Sequence, residues 1–171
     1  MVTVNILLST YNGEKYLAEQ IESILNQTFK GWTLLIRDDG SSDGTSEIIK
    51  GYESKDDRIK FINKNKIENI GIHKSFKSLA KFSDADWYFL CDQDDVWLPN
   101  KIENMLNYTE GKSEEAKLVY SDLTTVDSNL NIISERIRDS KGHEAPILKN
   151  YLLQPTVTGC AVMFNRNLRN Y

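Results

Sequence analysis

Five aspartates stand in two short clusters, Asp38 and Asp39 in "LLIRDDG" and Asp92, Asp94 and Asp95 in "YFLCDQDDVWLP". Each cluster closes an apolar run of strand composition. Carboxylates repel one another and are costly to take out of water, so acids grouped there call for a counter-charge. In a parallel sheet the carboxyl ends of the strands line the ligand crevice, which would bring all five to one edge. Such a group can serve as a paired acid and base, or it can hold a hard cation. Asp92 and Asp94 are alternate residues and fall on one side of an extended segment, which favours the cation. Mg2+ or Mn2+ fits, since each takes one or two carboxylates together with phosphate oxygens and water. A calcium loop does not, because the regular ladder of oxygen ligands and the terminal glutamate are missing. Asp and Gly are also ordinary turn residues, so "DDG" alone decides nothing.

The bulk numbers narrow the ligand. At 171 residues, 40% hydrophobic and 27% charged, the chain is sized for a single domain. A formal net charge of −4 argues against nucleic-acid binding through a basic surface. An anionic ligand therefore needs a cation from elsewhere, and a metal bridging Asp94 and a diphosphate would supply it. Neither "GxxxxGK[ST]" nor "GxGxxG" occurs, which removes the main support for P-loop and dinucleotide-binding readings. Cys91 and Cys160, far apart in apolar surroundings, read as reduced, packed thiols. No basic leader precedes a long apolar stretch, and no run approaches the roughly 20 apolar residues of a membrane span. The expected location is cytoplasmic, with any membrane contact peripheral, on the inner face.

Positioning these residues requires strands and helices in alternation. Strands are expected at Thr3 to Ser9, at Trp32 to Asp39, in "RIKFINK" and in "DWYFLCD". Between them lie a helix with Leu17, Ile21, Ile24 and Leu25 inward and a second with Ile48, Ile49 and Tyr52, capped by Asp43 or a neighbouring serine. A third runs from Lys74 to Phe82 with Phe76, Leu79 and Ala80 or Phe82 as its inner face. Pro99 suits the first turn of a fourth, carrying Ile102, Met105 and Leu106. This pattern implies right-handed βαβ units and a mainly parallel sheet over residues 1–108. Beyond it come strand-like "KLVYSDLTTVD", a turn at "SNLN", a polar irregular stretch "IISERIRDSKGHEAPI" and a last strand, Val157 to Asn165. The expected fold class is α/β, a Rossmann-like sheet flanked by helices with a small antiparallel addition. Trp87 and Trp97 read as core or pocket wall, and His73 as structural or exposed.

"VNILLSTYNGEKYLAEQIESILNQTF", "LLIRDDGSSDGT" and "FLCDQDDVWLP", in that order, resemble the N-terminal nucleotide-sugar domain of family 2 glycosyltransferases, of GT-A fold. "DQDDVWLP" with the later "TGCAVMFN" looks most like the rhamnosyltransferase branch. The resemblance implies one GT-A domain over 1–171, with 1–108 the nucleotide-binding half and 109–171 an incomplete acceptor-side half. It implies a dTDP- or UDP-sugar donor, rhamnose before a hexose, and a glycan or lipid-linked acceptor in polysaccharide biosynthesis. Thr10 would contact the base through its backbone and Tyr11 would pack on the ring. Asp39 would accept from the base imide. Asp92 would face ribose or metal and Asp94 would bind Mn2+ or Mg2+ directly, while Asp95 would cap the helix near Pro99. Phe76 stands where the family often has an arginine, leaving Lys74 as the nearest cation for the diphosphate. Gly159 and Cys160, with Thr158, would form the floor where donor sugar meets acceptor, or simply pack as strand.

The general base of an inverting transfer is the residue left unassigned. The resemblance implies a position a short way past "TGCAVMFN", beyond Tyr171, and Asp122, Asp127 and Glu144 do not match it. Two other readings stay open: a module that binds a nucleotide sugar without turnover, and a nucleotidyltransferase of similar design, against which stands the lack of a Gly-rich, basic phosphate loop.

Overall fold

The computed structural model describes residues 2–109, 115–136 and 158–170. Four strands, β1 (Val4–Thr10), β2 (Trp32–Asp38), β3 (Ile59–Phe61) and β4 (Trp87–Cys91), alternate with helices α1 (Leu17–Leu25), α2 (Thr45–Glu53) and α3 (Ile72–Phe82). After β4 come α4 (Lys101–Asn107), β5 (Leu118–Tyr120), the pair β6 (Thr125–Val126) and β7 (Ile132–Ser134), a 3-10 turn at Gly159–Ala161, β8 (Val162–Asn165) and α5 (Arg166–Arg169). The main sheet has the order β3-β2-β1-β4-β8-β5. β1 pairs in parallel with both β2 and β4, and β8 runs antiparallel to its neighbours β4 and β5.

Both faces of this sheet are covered, which is why β1 is apolar at consecutive positions. Ile6 and Leu8 join Ile36, Phe89 and Trp87 against Leu17, Ile21, Ile24, Ile49, Ile102 and Met105, so α1, α2 and α4 share one face. Leu7, Leu35 and Tyr88 pack with Leu79 and Ala85 on the other, under α3. From β1 the chain steps outward to β2 and β3, then returns to place β4 on the opposite flank. The order therefore reverses between β1 and β4, and the crevice beyond their carboxyl ends is the switch point where open α/β sheets bind ligands.

Several expectations change in detail. Phe82 is 54% exposed, so α3 turns inward through Leu79 with Phe76 and Ala80 beside it. Gly44, not Asp43, is the N-cap of α2, although the Asp43 carboxylate still accepts from Thr45 N at 3.1 Å. α4 begins at Lys101 after an Asn100 cap without a side-chain bond, so Asp95 does not cap it. "IIS", placed in an irregular stretch, forms β7 through pairing with β6. The last strand starts at Val162, because Gly159–Ala161 is a 3-10 turn, while Val157 and Glu144 lie outside the described residues.

Candidate functional site

Four loops meet above β1 and β4. Asn12, held at φ 49°, accepts from Ser42 N at 2.9 Å, and its own N–H donates to Ser41 Oγ at 2.8 Å. This joins the turn after β1 to the turn after β2. In that second turn the two adjacent acids do different work. Asp38 Oδ1 accepts from Ser41 N at 2.9 Å and Ser41 Oγ at 2.6 Å, bracing the turn. Asp39 Oδ1 accepts from Arg37 at 2.5 Å and from Ile70 N at 2.8 Å, and Oδ2 accepts from Gly71 N at 3.0 Å. The Arg37 and Asp39 side chains are only 4% and 7% exposed, so the ion pair is desolvated. Arg37 also donates to Glu68 O at 2.9 Å, which fixes the loop leading into α3. Ser9 and Ser75 share a 2.6 Å hydrogen bond that holds the start of α3 against β1.

The acid loop after β4 is a turn, not an extended segment. A turn places residues three apart side by side, so Asp92 meets Asp95 while Asp94 stays exposed on its outside. Ligand atoms of Asp92, Asp95 and Cys160 all lie within 4.8 Å of one another, which makes Cys160 part of the acid cluster. Burial pushes the Asp92 carboxyl above its ordinary value, and the charges of Asp95 and Asp94 add to the effect. Asp95 is shifted the same way, by burial first and then by Asp94. The Cys160 thiol is pushed up to about 12, chiefly by burial and then by Asp95, so it stays protonated as a donor to the carboxylates.

A cation is already close by. Lys101, from the first turn of α4, donates to Cys160 O at 2.9 Å and lies 4.3 Å from the centre of the Trp97 ring. Burial lowers its pKa, while the charges of Asp95 and Asp92 raise it. Even so, Asp95 Oδ2 is buried without a hydrogen-bond partner. Two carboxylates with an unsatisfied oxygen and a protonated thiol fit a hard divalent cation better than a thiolate-seeking one.

The remaining candidates are spread around this edge. Thr10 ends β1, its carbonyl accepting from Asp39 N at 2.8 Å, and Tyr11 is 53% exposed beside it. Lys74 is exposed on the first turn of α3, next to Ser75. Gly159 is exposed, and a Cβ there would meet open space, so close approach does not require a glycine. Trp87 and Trp97 are core, 1% and 3% exposed, and His73 is exposed, as the sequence suggests. Sequence reasoning passed over Arg37, Gln93 and Lys101. An arginine inside the apolar "LLIRDD" was a usable signal, since a buried charge needs a partner nearby.

The model for glycosyl transferase family 2 matches residues 5–170. The chain belongs to glycosyltransferase family 2. An uncharacterized glycosyltransferase of Methanocaldococcus jannaschii is 35% identical over 134 residues, 77% of this chain and 45% of that protein. A UDP-Glc:alpha-D-GlcNAc-diphosphoundecaprenol beta-1,3-glucosyltransferase, WfgD of Escherichia coli, is 29% identical over 168 residues, 98% of this chain and 62% of that protein. The family 2 domain thus spans between 45% and 62% of the length of these two relatives. Among solved structures, a Pyrobaculum calidifontis mannosyltransferase in complex with GDP-Man and Mn2+ aligns with TM-score 0.70 at 14% identity, covering 99% of this chain and 46% of that one. S. aureus TarS 1-349 in complex with UDP-GlcNAc aligns with TM-score 0.61 at 19% identity, over 74% of this chain and 36% of that one. At these identities the likeness is one of fold, GT-A. The rhamnosyltransferase branch finds no such match among these proteins. No helix among the described residues is long and apolar enough to cross a membrane.

Proposed function

We propose that this domain binds a nucleotide sugar across the β1/β4 switch point and transfers its sugar, with inversion, to a glycan or lipid-linked acceptor in polysaccharide biosynthesis. One observation carries the reading: the loops after β1, β2 and β4 are tied together at a single sheet edge that holds a partly unsatisfied acid pair. The donor is a UDP- or dTDP-sugar. The motif resemblance favours rhamnose, while the named donors of the relative and of the TarS complex favour a UDP-hexose. The acceptor class draws support from the lipid diphosphate in the Escherichia coli relative's name.

The residues divide the work. Thr10 and Tyr11 take the base, Thr10 through its backbone and Tyr11 by packing on the ring. Asp39 Oδ2 accepts one bond within the protein, so it keeps a second acceptor position for a base imide N–H. Asp92 and Asp95 would hold Mn2+ or Mg2+, and Asp94, exposed on the same turn, would be a further ligand. A bound divalent cation neutralises charge developing on the leaving diphosphate. Lys74 faces the diphosphate from α3, and Cys160 lies at the floor with its thiol directed to the acids. The general base is not among these residues. Asp127 is engaged by Asn129 N and Asn131 N, and Asp122 Oδ1 by Leu123 N. A donor-binding unit without turnover stands as a second reading.

A thermal-shift panel of nucleoside diphosphates and their sugars, with and without Mn2+, tests the first part, because a ligand bound only by the native state raises apparent stability. UDP or dTDP should shift the midpoint more in Mn2+ than in EDTA. No shift with any nucleotide in either medium would reject the reading. Sugar transfer against donor binding then separates the two readings.

A further inference from the structure

We propose that Gln93 is a positioning residue that locks the loop after β1 to the acid loop after β4, so that the two ends of a bound nucleotide act on one rigid unit. The proposal rests on the nucleotide-sugar reading for its functional half and on geometry alone for the lock itself. Parallel pairing of β1 with β4 ends at Leu8 and Cys91, and beyond that point the two chains have no ladder to hold them. Gln93 takes over there. Its Oε1 accepts from Thr10 Oγ1 at 2.6 Å and from Tyr11 N at 2.8 Å, and its Nε2 donates to Tyr11 O at 3.2 Å. One side chain thus grips both backbone polar groups of Tyr11, the residue read as the base platform, from a position adjacent to Asp92.

Only a primary amide of this length can do this. It offers two acceptor lone pairs on oxygen and two donors on nitrogen. A glutamate would set an oxygen against Tyr11 O, and a methionine would fill the space with no bonds. The opposing surface is shaped to match. A Cβ on Gly13 would lie 2.6 Å from Gln93 Oε1 and 2.7 Å from Thr10 Oγ1, so the amide can seat only against a glycine. Gly13 is not in the left-handed region, so space and not backbone conformation sets this requirement. Gln93 and Gly13 are then two halves of one latch, and the metal-side and base-side loops cannot move independently while it is closed.

A double-mutant cycle on the nucleotide-free protein tests the latch, and calorimetry with UDP and dTDP tests its use. Gln93→Ala and Gly13→Ala should each destabilise the chain in urea, with Gly13→Ala costing less in the Gln93→Ala background, where only Thr10 Oγ1 still crowds the new Cβ, since contacting residues are non-additive. Additive effects would overturn the latch whether or not any nucleotide binds. In the binding arm, loss of the amide's bonds should weaken UDP or dTDP affinity on the order of tenfold. The Mn2+ enhancement, the ratio of dissociation constants in EDTA and in Mn2+, should also fall several-fold in Gln93→Met, which general loosening of the fold would not produce. Gln93→Glu, matched in size, should fail to restore it. Wild-type binding with an unchanged enhancement in Gln93→Met would overturn the coupling, and absence of wild-type binding would overturn it together with the site reading, leaving the urea cycle to judge the latch.

Discussion

Replacing Asp39 by alanine removes the carboxylate that, among the described residues, pairs with Arg37 across a buried contact, and the same change strips the acceptor from Ile70 N and Gly71 N. A guanidinium 4% exposed cannot recover its lost partner from bulk water without the loop opening. Breaking a buried pair from one side typically costs about 3–5 kcal/mol. In a chain of this size each kcal/mol moves the melting midpoint by about 2–4 °C, so Asp39→Ala should melt roughly 6–20 °C below wild type. Urea denaturation of the nucleotide-free protein, followed by circular dichroism, gives the free energy directly. The informative companion is the Arg37→Met/Asp39→Ala double variant. With both charges gone no unpaired ion stays buried, so the double variant should be more stable than Asp39→Ala alone. An Asp39→Ala loss under about 1 kcal/mol, or a double variant weaker than the single, would refute the reasoning. Lost nucleotide binding in Asp39→Ala therefore reports the collapse of the 68–71 loop as well as any missing base contact.

Two further outcomes can be measured in the same way. Because Asp92 is protonated more readily in the folded chain, the native state holds more protons than the unfolded one between the ordinary value of 3.8 and its raised value, and stability falls as pH climbs through that window. Asp92→Asn should match wild type below pH 3.8 and exceed it at neutral pH without metal; an equal difference at both pH values would contradict the burial argument. Gly40→Ala should cost about 1–3 kcal/mol, since φ there is +89° and a Cβ would lie 3.0 Å from Asn69 N. Gly71→Ala should also destabilise, although no atom blocks its Cβ, because φ 82° with ψ 151° is a conformation open essentially to glycine alone, and an unchanged melting midpoint would discard the backbone argument.

The βαβ frame could be read from the sequence because "NILLS", "WTLLI" and "WYFLC" are apolar on consecutive positions, as strands buried on both faces must be. The acid clusters could be read because they end those runs. Their internal arrangement could not. Asp92 and Asp94 share a side only if the segment is extended, and a two-residue turn at Gln93 and Asp94 substitutes Asp95 as the neighbour. Cys160 arrives from the distant 3-10 turn before β8, and nothing local announces that its thiol would meet two aspartates. Lys101 was hidden for the same reason, since its role depends on Trp97 beneath it and on a carbonyl 59 residues away. Phe82 looked like core by spacing, but α3 had already turned it to solvent.

The reversed strand β8 sets an order of events during synthesis. β5 pairs with β8 and with no other strand among the described residues, so Leu118–Tyr120 cannot dock until Val162–Asn165 has been made. At ribosomal speeds of ~5–20 residues per second, the roughly 40 residues in between take ~2–8 s. During that interval β1 to β4 can already be paired, with the β4 flank open and Phe89 lacking its Met163 neighbour. The nascent chain thus carries a waiting sheet edge, the kind of surface that chaperones cover and that aggregates begin from.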